Sequence, residues 1–260
     1  MSGPAMSEKV AVVTGASRGI GKRLSEDLAG AGFDVVLTAR SSSDSPGKLP
    51  GTIDETAATV EAAGRKAMPV ALDVRDAEAV QALADRVYDE WGRCDLLINN
   101  AAVAPPGLSL SEPIKRWTMA VDVNVNGPFY FMHAFAPRME QGRVINISSG
   151  ASLAPFFGRA SYTTTKRALE ALTECHAWEL RDKVAVNCIQ LELSVWTEGY
   201  TATLGEGNYD GFEDPVIMSD AVLWLTQQPI DYTGHILTIA AMREMGVVRG
   251  VTKVGQTDSA

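Results

Sequence analysis

Short apolar runs, rich in β-branched residues, alternate with longer amphipathic stretches along the chain. Each run is apolar through its length rather than at every second position, which is typical of a strand buried on both faces. The predicted strands occupy residues 10–15, 34–39, 67–74, 95–100, 143–148, 184–190 and 235–240. Amphipathic stretches between strands are typical of crossover helices. The pattern therefore predicts an α/β fold, a doubly wound parallel sheet of seven strands with helices on both faces.

Three segments interrupt this alternation. Residues 41–52 are rich in Ser, Pro and Gly and predict a surface loop after the second strand. Residues 191–216 follow the sixth strand and carry four aromatic residues, and ligands of α/β proteins bind at this edge, so we expect a substrate lid there. We expect residues 241–260 to form a C-terminal tail and residues 1–7 a flexible N-terminus. No internal repeat or linker divides the chain, so residues 1–260 are predicted to form one domain.

Composition narrows the classes of function. The 260 residues are 46% hydrophobic, which is enough for one continuous core. A formal charge of −9 would repel a phosphate backbone, so nucleic acid is not an expected partner. No apolar run approaches the roughly 20 residues needed to span a bilayer, so no membrane partner is expected. Cys94, Cys175 and Cys188 show no metal-ligand or disulfide pattern, and we expect buried thiols, no metal and a cytoplasmic location.

A glycine-rich turn joins the first predicted strand to the first predicted helix. The segment 14–21 reads Thr-Gly-Ala-Ser-Arg-Gly-Ile-Gly. Glycines also serve ordinary tight turns, but this turn ends a strand and opens a helix, which favours a Rossmann-type diphosphate site at the helix N-terminus. The residues predicted to hold a dinucleotide here are Gly15, Ser17, Arg18, Gly19, Ile20 and Gly21.

The end of the second strand predicts which dinucleotide binds. An NAD site normally has an acidic residue there for the ribose 2′-hydroxyl, whereas residues 38–41 read Thr-Ala-Arg-Ser. Arg40 offers a forked guanidinium to a 2′-phosphate, Arg18 adds a second cation, and Ser41 adds a hydroxyl. We therefore expect NADP(H) rather than NAD(H), with the loop 41–52 over its adenosine end. The alternative is that Arg40 is a solvated loop arginine.

Three polar residues predict carbonyl chemistry. Ser149 follows the fifth strand, Tyr162 comes 13 residues later, and Lys166 lies four residues beyond, on the same face of a helix. A phenol holds its proton near neutrality, but a neighbouring ammonium favours the tyrosinate. Tyr162 would then exchange a proton with a carbonyl or alcohol oxygen to which Ser149 donates a hydrogen bond. Alone, a Tyr-x-x-x-Lys pair also arises by chance on solvated helix surfaces.

These motifs stand in a familiar order. From residue 8 to about 190, the glycine loop, Asn99-Asn100-Ala101, Asn124, Ser149, Tyr162 and Lys166 resemble the classical short-chain dehydrogenase/reductase family. The resemblance implies that Lys166 binds the nicotinamide ribose and that Asn124 holds a water that relays protons. Asn124 is alternatively an amide that satisfies buried backbone groups.

Further cofactor contacts follow from the same resemblance. It implies that Asp73 and Val74 contact adenine, and that Asn100 and Ala101 line the adenosine ribose. Asp73 is alternatively a helix N-cap, although Asp76 suits that role better.

The chain departs from the family pattern after its last two strands. Leu191 and Glu192 occupy the family's Pro-Gly positions, and either Ser194 or Thr197 would bind the nicotinamide carboxamide. Glu192 either faces the substrate or is solvated. Residues 239–242 replace the family's Asp-Gly-Gly. Because that edge often makes a subunit contact in the family, the expected assembly is left open between a homodimer and a homotetramer.

The expected reaction is interconversion of a ketone or aldehyde and an alcohol on a small, moderately apolar substrate, contacted by Ser149, Phe156, Glu192 and Trp196. Phe156 and Trp196 alternatively pack the lid onto the body of the domain. A dehydratase or epimerase on the same scaffold, and a non-catalytic NADP(H)-binding regulator, are the alternative functions.

Overall fold

The computed structural model describes residues 9–154, 156–204 and 209–251. Its seven strands form one parallel sheet in the order β3-β2-β1-β4-β5-β6-β7. The strands are β1 (Lys9–Thr14), β2 (Phe33–Ala39), β3 (Ala67–Ala71), β4 (Leu96–Asn99), β5 (Gly142–Ser149), β6 (Val184–Leu191) and β7 (Ile236–Thr238). The predicted doubly wound α/β fold is confirmed.

Helices cover both faces of the sheet. In the described ranges they are α1 (Gly19–Gly30), α2 (Ile53–Ala62), α3 (Ala77–Trp91), α4 (Ile114–Val121), α5 (Gly127–Phe135), α6 (Ala160–Glu179), α7 (Glu198–Leu204), α8 (Val216–Gln227) and α9 (Ile239–Glu244). Residues 122–126 join α4 to α5 as a π-helical turn. Apolar residues of α1, α2, α8 and α9 pack on one face, and those of α3 and α5 pack on the other.

The inner strand β1 shows why the runs are largely apolar. Ala11 and Val13 join the core cluster on the α1 face, while Val10 and Val12 join the cluster on the α3 face. Successive side chains of a strand point to opposite faces, so burial of both faces requires every position to be apolar.

The strand order places a crevice at one edge of the sheet. β1 pairs with β2 on one side and with β4 on the other. The chain therefore leaves β1 and β4 in opposite directions, and loops that follow neighbouring carboxyl ends separate there. The glycine loop follows β1, residues 100–113 follow β4, and the predicted catalytic residues follow β5.

The C-terminal region contains a short helix that the sequence did not predict. β7 ends at Thr238 rather than at residue 240, because α9 begins at Ile239 and the Thr238 side chain caps it. Met242 and Val248 are buried in the core, so the predicted tail packs on the domain at these two positions. Residues 252–260, like the predicted flexible residues 1–7, lie outside the described residues.

One cysteine prediction was wrong. Cys94 and Cys188 are buried, and burial raises the pKa of the Cys188 thiol to about 12, but Cys175 is exposed. The inward face of α6 follows a four-residue repeat through Leu169, Thr173 and Ala177. Cys175 falls midway between two of these positions, and at 100° per residue this places it on the outer face.

Candidate active site

Two adjoining cavities lie along the carboxyl edge of the sheet. The catalytic cavity, about 580 Å³, is lined by Ser149, Tyr162 and Lys166 among others. The glycine-loop cavity, about 340 Å³, is lined by residues that follow β1, β2, β3 and β4. Asn100 and Ala102 line both cavities, so one elongated molecule can occupy both.

The glycine loop is packed too tightly for larger residues at three positions. Gly15 and Gly19 have φ of +70° and +57°, values that side-chain-bearing residues rarely adopt. A Cβ on Gly21 would lie 2.3 Å from the carbonyl oxygen of Gly15. The turn therefore brings the N-terminus of α1 directly to the sheet edge, where the N–H groups of a helix N-terminus favour an anion.

The loops after β1 and β4 are joined by hydrogen bonds. The backbone N–H groups of Asn100 and Ala101 both donate to Thr14 Oγ1 at 3.0 Å, and Asn100 Nδ2 donates to the Thr14 carbonyl at 2.8 Å. These bonds fix the position of the predicted ribose contacts relative to the glycine loop. Gly15, Asn100 and Ala101 all line the glycine-loop cavity.

Arg18, Arg40 and Ser41 lie together at the outer end of the glycine-loop cavity, together with the buried Ser17. Arg18 Nη2 donates to Ser41 Oγ at 3.1 Å, and the same guanidinium donates to the carbonyls of three residues in the loop 41–52. Burial lowers the pKa of Arg18, the Glu198 carboxylate raises it, and the positive charge of Arg40 lowers it. Two neighbouring cations at this end would stabilise a bound anion.

Asp73 lines the same cavity but already has a cationic partner. Its carboxylate accepts from the Arg75 guanidinium through both oxygens, with a shortest distance of 2.7 Å. Hydrogen bonding to Arg75 lowers the pKa of Asp73. Asp76, rather than Asp73, caps α3. Val74, which is buried, also lines the cavity, so both predicted adenine contacts lie there.

Ser149, Tyr162 and Lys166 converge on the catalytic cavity from β5 and α6. Lys166 is 3% exposed, and its ammonium donates to the Ile147 carbonyl at 2.6 Å. The Lys166 nitrogen lies 5.7 Å from the centre of the Tyr162 ring, over its face. Ser149 Oγ accepts from the Ala151 N–H at 3.2 Å, which leaves the Ser149 hydroxyl proton free to be donated into the cavity.

Asn124 lies behind this trio, in the π-helical turn between α4 and α5. Its amide oxygen accepts from Val103 N, and its amide nitrogen donates to the Val103 carbonyl, both at 2.8 Å. The same nitrogen donates to Thr165 Oγ1 at 3.0 Å. The side chain therefore satisfies buried groups, as one of the two sequence interpretations expects, and it joins the loop after β4 to the residue before Lys166.

Residues of the segment 191–216 line one side of the catalytic cavity. Ser194 and Thr197 line the catalytic cavity, as does Ile20 from α1. The Thr197 side chain packs against Gly19, and the Glu198 carboxylate accepts from the Gly19 N–H at 2.7 Å. A negative charge of the chain itself therefore lies at the N-terminus of α1, where the sequence predicted a diphosphate.

Two ion pairs hold the end of this segment. Asp214 accepts from Arg23 of α1 at 3.1 Å, and Glu213 pairs with Arg243 of α9. These contacts join the end of the segment to α1 and α9. Residues 205–208 lie outside the described ranges.

Glu192 has partners that differ from the expected ones. Although this residue lines the catalytic cavity, its two carboxylate oxygens accept from the Ile239 N–H at 3.0 Å and the Ala240 N–H at 2.6 Å. The first N–H groups of a helix lack partners within it, so a carboxylate is stabilised there. The structure thus engages Glu192 as a cap of α9, not as a solvated charge or a free contact for substrate.

The two predicted aromatic substrate contacts differ in position. Phe156 lines the catalytic cavity, and so does Tyr200. Trp196 is not among the described residues that line it, and its backbone N–H donates to the Glu213 carbonyl. The structure therefore brings Phe156, but not Trp196, to the site.

Sequence reasoning missed three charged residues. Glu198 contacts the glycine loop, and Arg159 lines the catalytic cavity. Glu170 Oε1 accepts from Ser148, Ser152 and Gln190, so it joins the chain on both sides of Ser149 to β6. None of the three belongs to a spaced motif, and only their sequence proximity to Tyr162, Lys166 or Thr197 could have drawn attention to them.

The described ranges also bear on metal binding and on membrane crossing. No group of three or more His, Cys, Asp or Glu side chains there is placed to hold a metal ion. No helix in that part of the chain has both the length and the hydropathy to cross a membrane.

Residues 9–199 match the family model described as short chain dehydrogenase. The chain belongs to this family. Over 230 residues it is 31% identical to hydroxysteroid dehydrogenase-like protein 2 of Xenopus tropicalis, an alignment that covers 86% of this chain and 55% of the relative. The chain thus spans about half the length of the curated relatives it matches.

Two similar solved structures differ in the nucleotide they contain. A metagenomic short-chain oxidoreductase in complex with NADP is 31% identical, with a TM-score of 0.75 and coverage of 90% of this chain and 99% of that chain. A short chain dehydrogenase from Mycobacterium paratuberculosis bound to NAD is 26% identical, with a TM-score of 0.78 and coverage of 90% and 96%. The likeness in fold therefore does not decide between the two nucleotides.

Proposed function

We propose that this protein is an NADP(H)-dependent oxidoreductase that interconverts a ketone or aldehyde and an alcohol on a small, moderately apolar substrate. The observation that carries the proposal is the convergence of Ser149, Tyr162 and Lys166 on one cavity that adjoins the glycine-loop cavity. A dehydrogenase must place its hydride carrier and its proton donor next to the same carbon–oxygen bond of the substrate. The glycine-loop cavity offers a site for the carrier, and Tyr162 in the adjoining cavity offers the proton.

The residues present fit a dinucleotide. The glycine loop leaves a cradle in which a Cβ on Gly21 would collide with backbone, and the two cavities share Asn100 and Ala102. In this proposal the residues of the glycine-loop cavity hold the adenosine and phosphate groups, Lys166 holds the nicotinamide ribose, and Ser194 or Thr197 holds the carboxamide. When bound, the nicotinamide supplies or accepts the hydride.

The preference for NADP(H) rests on the outer end of the glycine-loop cavity. Arg40 is exposed there, and among the described residues it forms no hydrogen bond or close ion pair, although its charge helps to lower the pKa of Asp73. Arg18 and Ser41 lie beside it, joined to each other by a hydrogen bond. Of the described residues that line this cavity, one is an acid: Asp73, which follows β3 rather than β2 and is paired with Arg75. A 2′-phosphate would thus meet two cations and a hydroxyl.

In the proposal, side chains of this protein transfer the proton and stabilise the charges that result. In reduction, the Tyr162 hydroxyl gives its proton to the carbonyl oxygen while the Ser149 hydroxyl donates a hydrogen bond to the same oxygen. Lys166, fixed by the Ile147 carbonyl, places a positive charge beside the phenol and stabilises the tyrosinate that results. In oxidation the proton moves the opposite way. Asn124 donates a hydrogen bond to Thr165 and so helps to position α6. In the proposal, Asn124 also holds a water that relays protons.

The location and assembly belong to the same proposal. We place the activity in the cytoplasm, where thiols such as the exposed Cys175 stay reduced. We propose a homodimer or homotetramer, supported by large apolar side chains exposed on neighbouring helices, Phe129 on α5 and Trp178 on α6. Light scattering with size-exclusion chromatography measures the assembly directly.

A substrate panel tests the reaction class. We expect ketones and aldehydes to consume one NADPH for each product formed. Secondary alcohols, including the hydroxysteroids that the name of the Xenopus tropicalis relative suggests, should produce one NADPH from NADP+ for each product. Product formation without net change in NADPH would instead support a dehydratase or epimerase. Nucleotide binding without any turnover would support the regulator.

A further inference from the structure

Arg159 lines the same cavity as Tyr162 and lies three residues before it, at the start of α6. We propose that its guanidinium binds a carboxylate of the substrate. The site would then select ketones or secondary alcohols that combine an apolar body with a carboxylate. This inference rests on the proposed function and adds a substrate class to it.

The position of Arg159 is fixed by backbone contacts. Its main chain forms a parallel bridge with Gly107, and the Gly107 N–H donates to the Gly158 carbonyl at 3.1 Å. Its Nη1 donates to the carbonyl of Ala104, which also lines the cavity. A guanidinium has five N–H donors, so this single bond holds the group at the wall and leaves others for a ligand.

Arg159 is the cation of this cavity to which the proposed proton and cofactor chemistry gives no role. The described charged residues that line it are Arg159, Lys166 and Glu192. Lys166 is bound to the Ile147 carbonyl, and both Glu192 oxygens accept from α9. In the described part of the chain Arg159 has no ion pair, and the acid on the facing loop, Glu112, accepts from the Ser161 hydroxyl. A partly buried cation without a counter-ion favours an anionic ligand.

The remaining wall suits an apolar body. Ile20, Leu193 and Tyr200 line the cavity, and Leu153 and Phe156 line it with 58% and 60% of their surface exposed. Such side chains lose contact with water when an apolar group covers them. One guanidinium balances the single charge of a carboxylate, whereas a phosphate ester carries about −1.5 to −2 at neutral pH. Because the chain's formal charge is already −9, we favour the carboxylate.

The experiment compares oxo acids with their methyl esters on the same carbon skeletons, with the carbonyl at several distances from the acid group. We expect kcat/KM for the best acid to exceed that for its ester roughly ten- to hundredfold, the range of a hydrogen bond between charged groups. In R159M this preference is lost because kcat/KM for the acid falls much more than kcat/KM for the ester, and R159K, which keeps the charge without the fork, retains part of the preference. The control is R116M, because Arg116 is an exposed arginine that does not line the cavity.

Circular dichroism and the Kd for NADPH show whether the R159M variant is folded. Esters turned over as well as acids by the unaltered protein, or an acid preference that survives in R159M, overturn the inference and leave the proposed function standing. Absence of NADPH-linked turnover with every acid, ester and alcohol overturns both.

Discussion

The Glu192 carboxylate accepts a hydrogen bond from the Ala240 N–H at 2.6 Å. This contact joins the two places where the sequence departs from its family's pattern, because Glu192 stands at a glycine position and Ala240 lies in the segment that replaces Asp-Gly-Gly. The two departures are therefore one structural feature: a short helix after β7 and the carboxylate that caps it. Gly150 packs against the Glu192 backbone, so this feature also adjoins Ser149.

Removing this cap should lower the stability of the fold more than it lowers turnover. We expect E192A to lower the free energy of unfolding by about 1–2 kcal/mol, the usual cost of losing a capping group, and E192Q to lose less because its amide oxygen still accepts one bond. Urea unfolding of each variant measures this. The control is E61A, which alters an exposed glutamate on α2. If E192A were as stable as the unaltered protein but had lost turnover, Glu192 would contact the substrate instead.

The regular part of the fold was predictable because it depends on short-range patterns. Largely apolar runs such as 10–15 predict strands buried on both faces, and the structure places a strand at each of the seven predicted runs. The end of β7 was not predictable, because residues 239–240 are apolar enough for a strand. The Thr238 and Glu192 side chains, one of them 47 residues away in sequence, decide that a helix begins there.

Reversing the charge of Arg40 should change the choice of cofactor. We expect R40D to shift the ratio of kcat/KM for NADPH over NADH towards NADH by roughly ten- to hundredfold, because it removes a cation from the 2′-phosphate and supplies an acceptor for a 2′-hydroxyl. Steady-state kinetics with both nucleotides measure the ratio. R86D, on the surface of α3, makes the same change in net charge. An unaltered ratio in R40D would mean that Arg40 is the solvated loop arginine.

Removing the negative charge of Glu198 should tighten cofactor binding. Its carboxylate holds the Gly19 N–H at the start of α1, so a diphosphate at this helix N-terminus must displace it or meet its charge. We expect E198Q to lower the Kd for NADPH about two- to tenfold, with a smaller difference at high salt. Fluorescence titration measures the Kd, and E61Q is the matched control. Weaker binding by E198Q would show that Glu198 supports the bound state.

The candidate site was only partly predictable from the sequence. The glycine loop and the Tyr162–Lys166 pair were predictable from local motifs, because loop and helix geometry determine which of their atoms lie close together. The other features of the site depend on contacts between segments that are distant in sequence. The Glu198–Gly19 bond spans 179 residues, and the exclusion of Trp196 from the cavity depends on how residues 194–196 bridge to Glu213. Such pairings follow from tertiary packing and leave no spaced pattern.

The most direct test of the account replaces the Tyr162 hydroxyl. We expect Y162F to lower kcat/KM about 100- to 10,000-fold, the range for a positioned acid or base, with the Kd for NADPH unchanged. The matched control is Y130F, because Tyr130 lies on α5 and is not among the described residues lining the cavity. Loss of turnover in Y162F alone, with intact NADPH binding, is the predicted result. Wild-type turnover in Y162F would contradict the account.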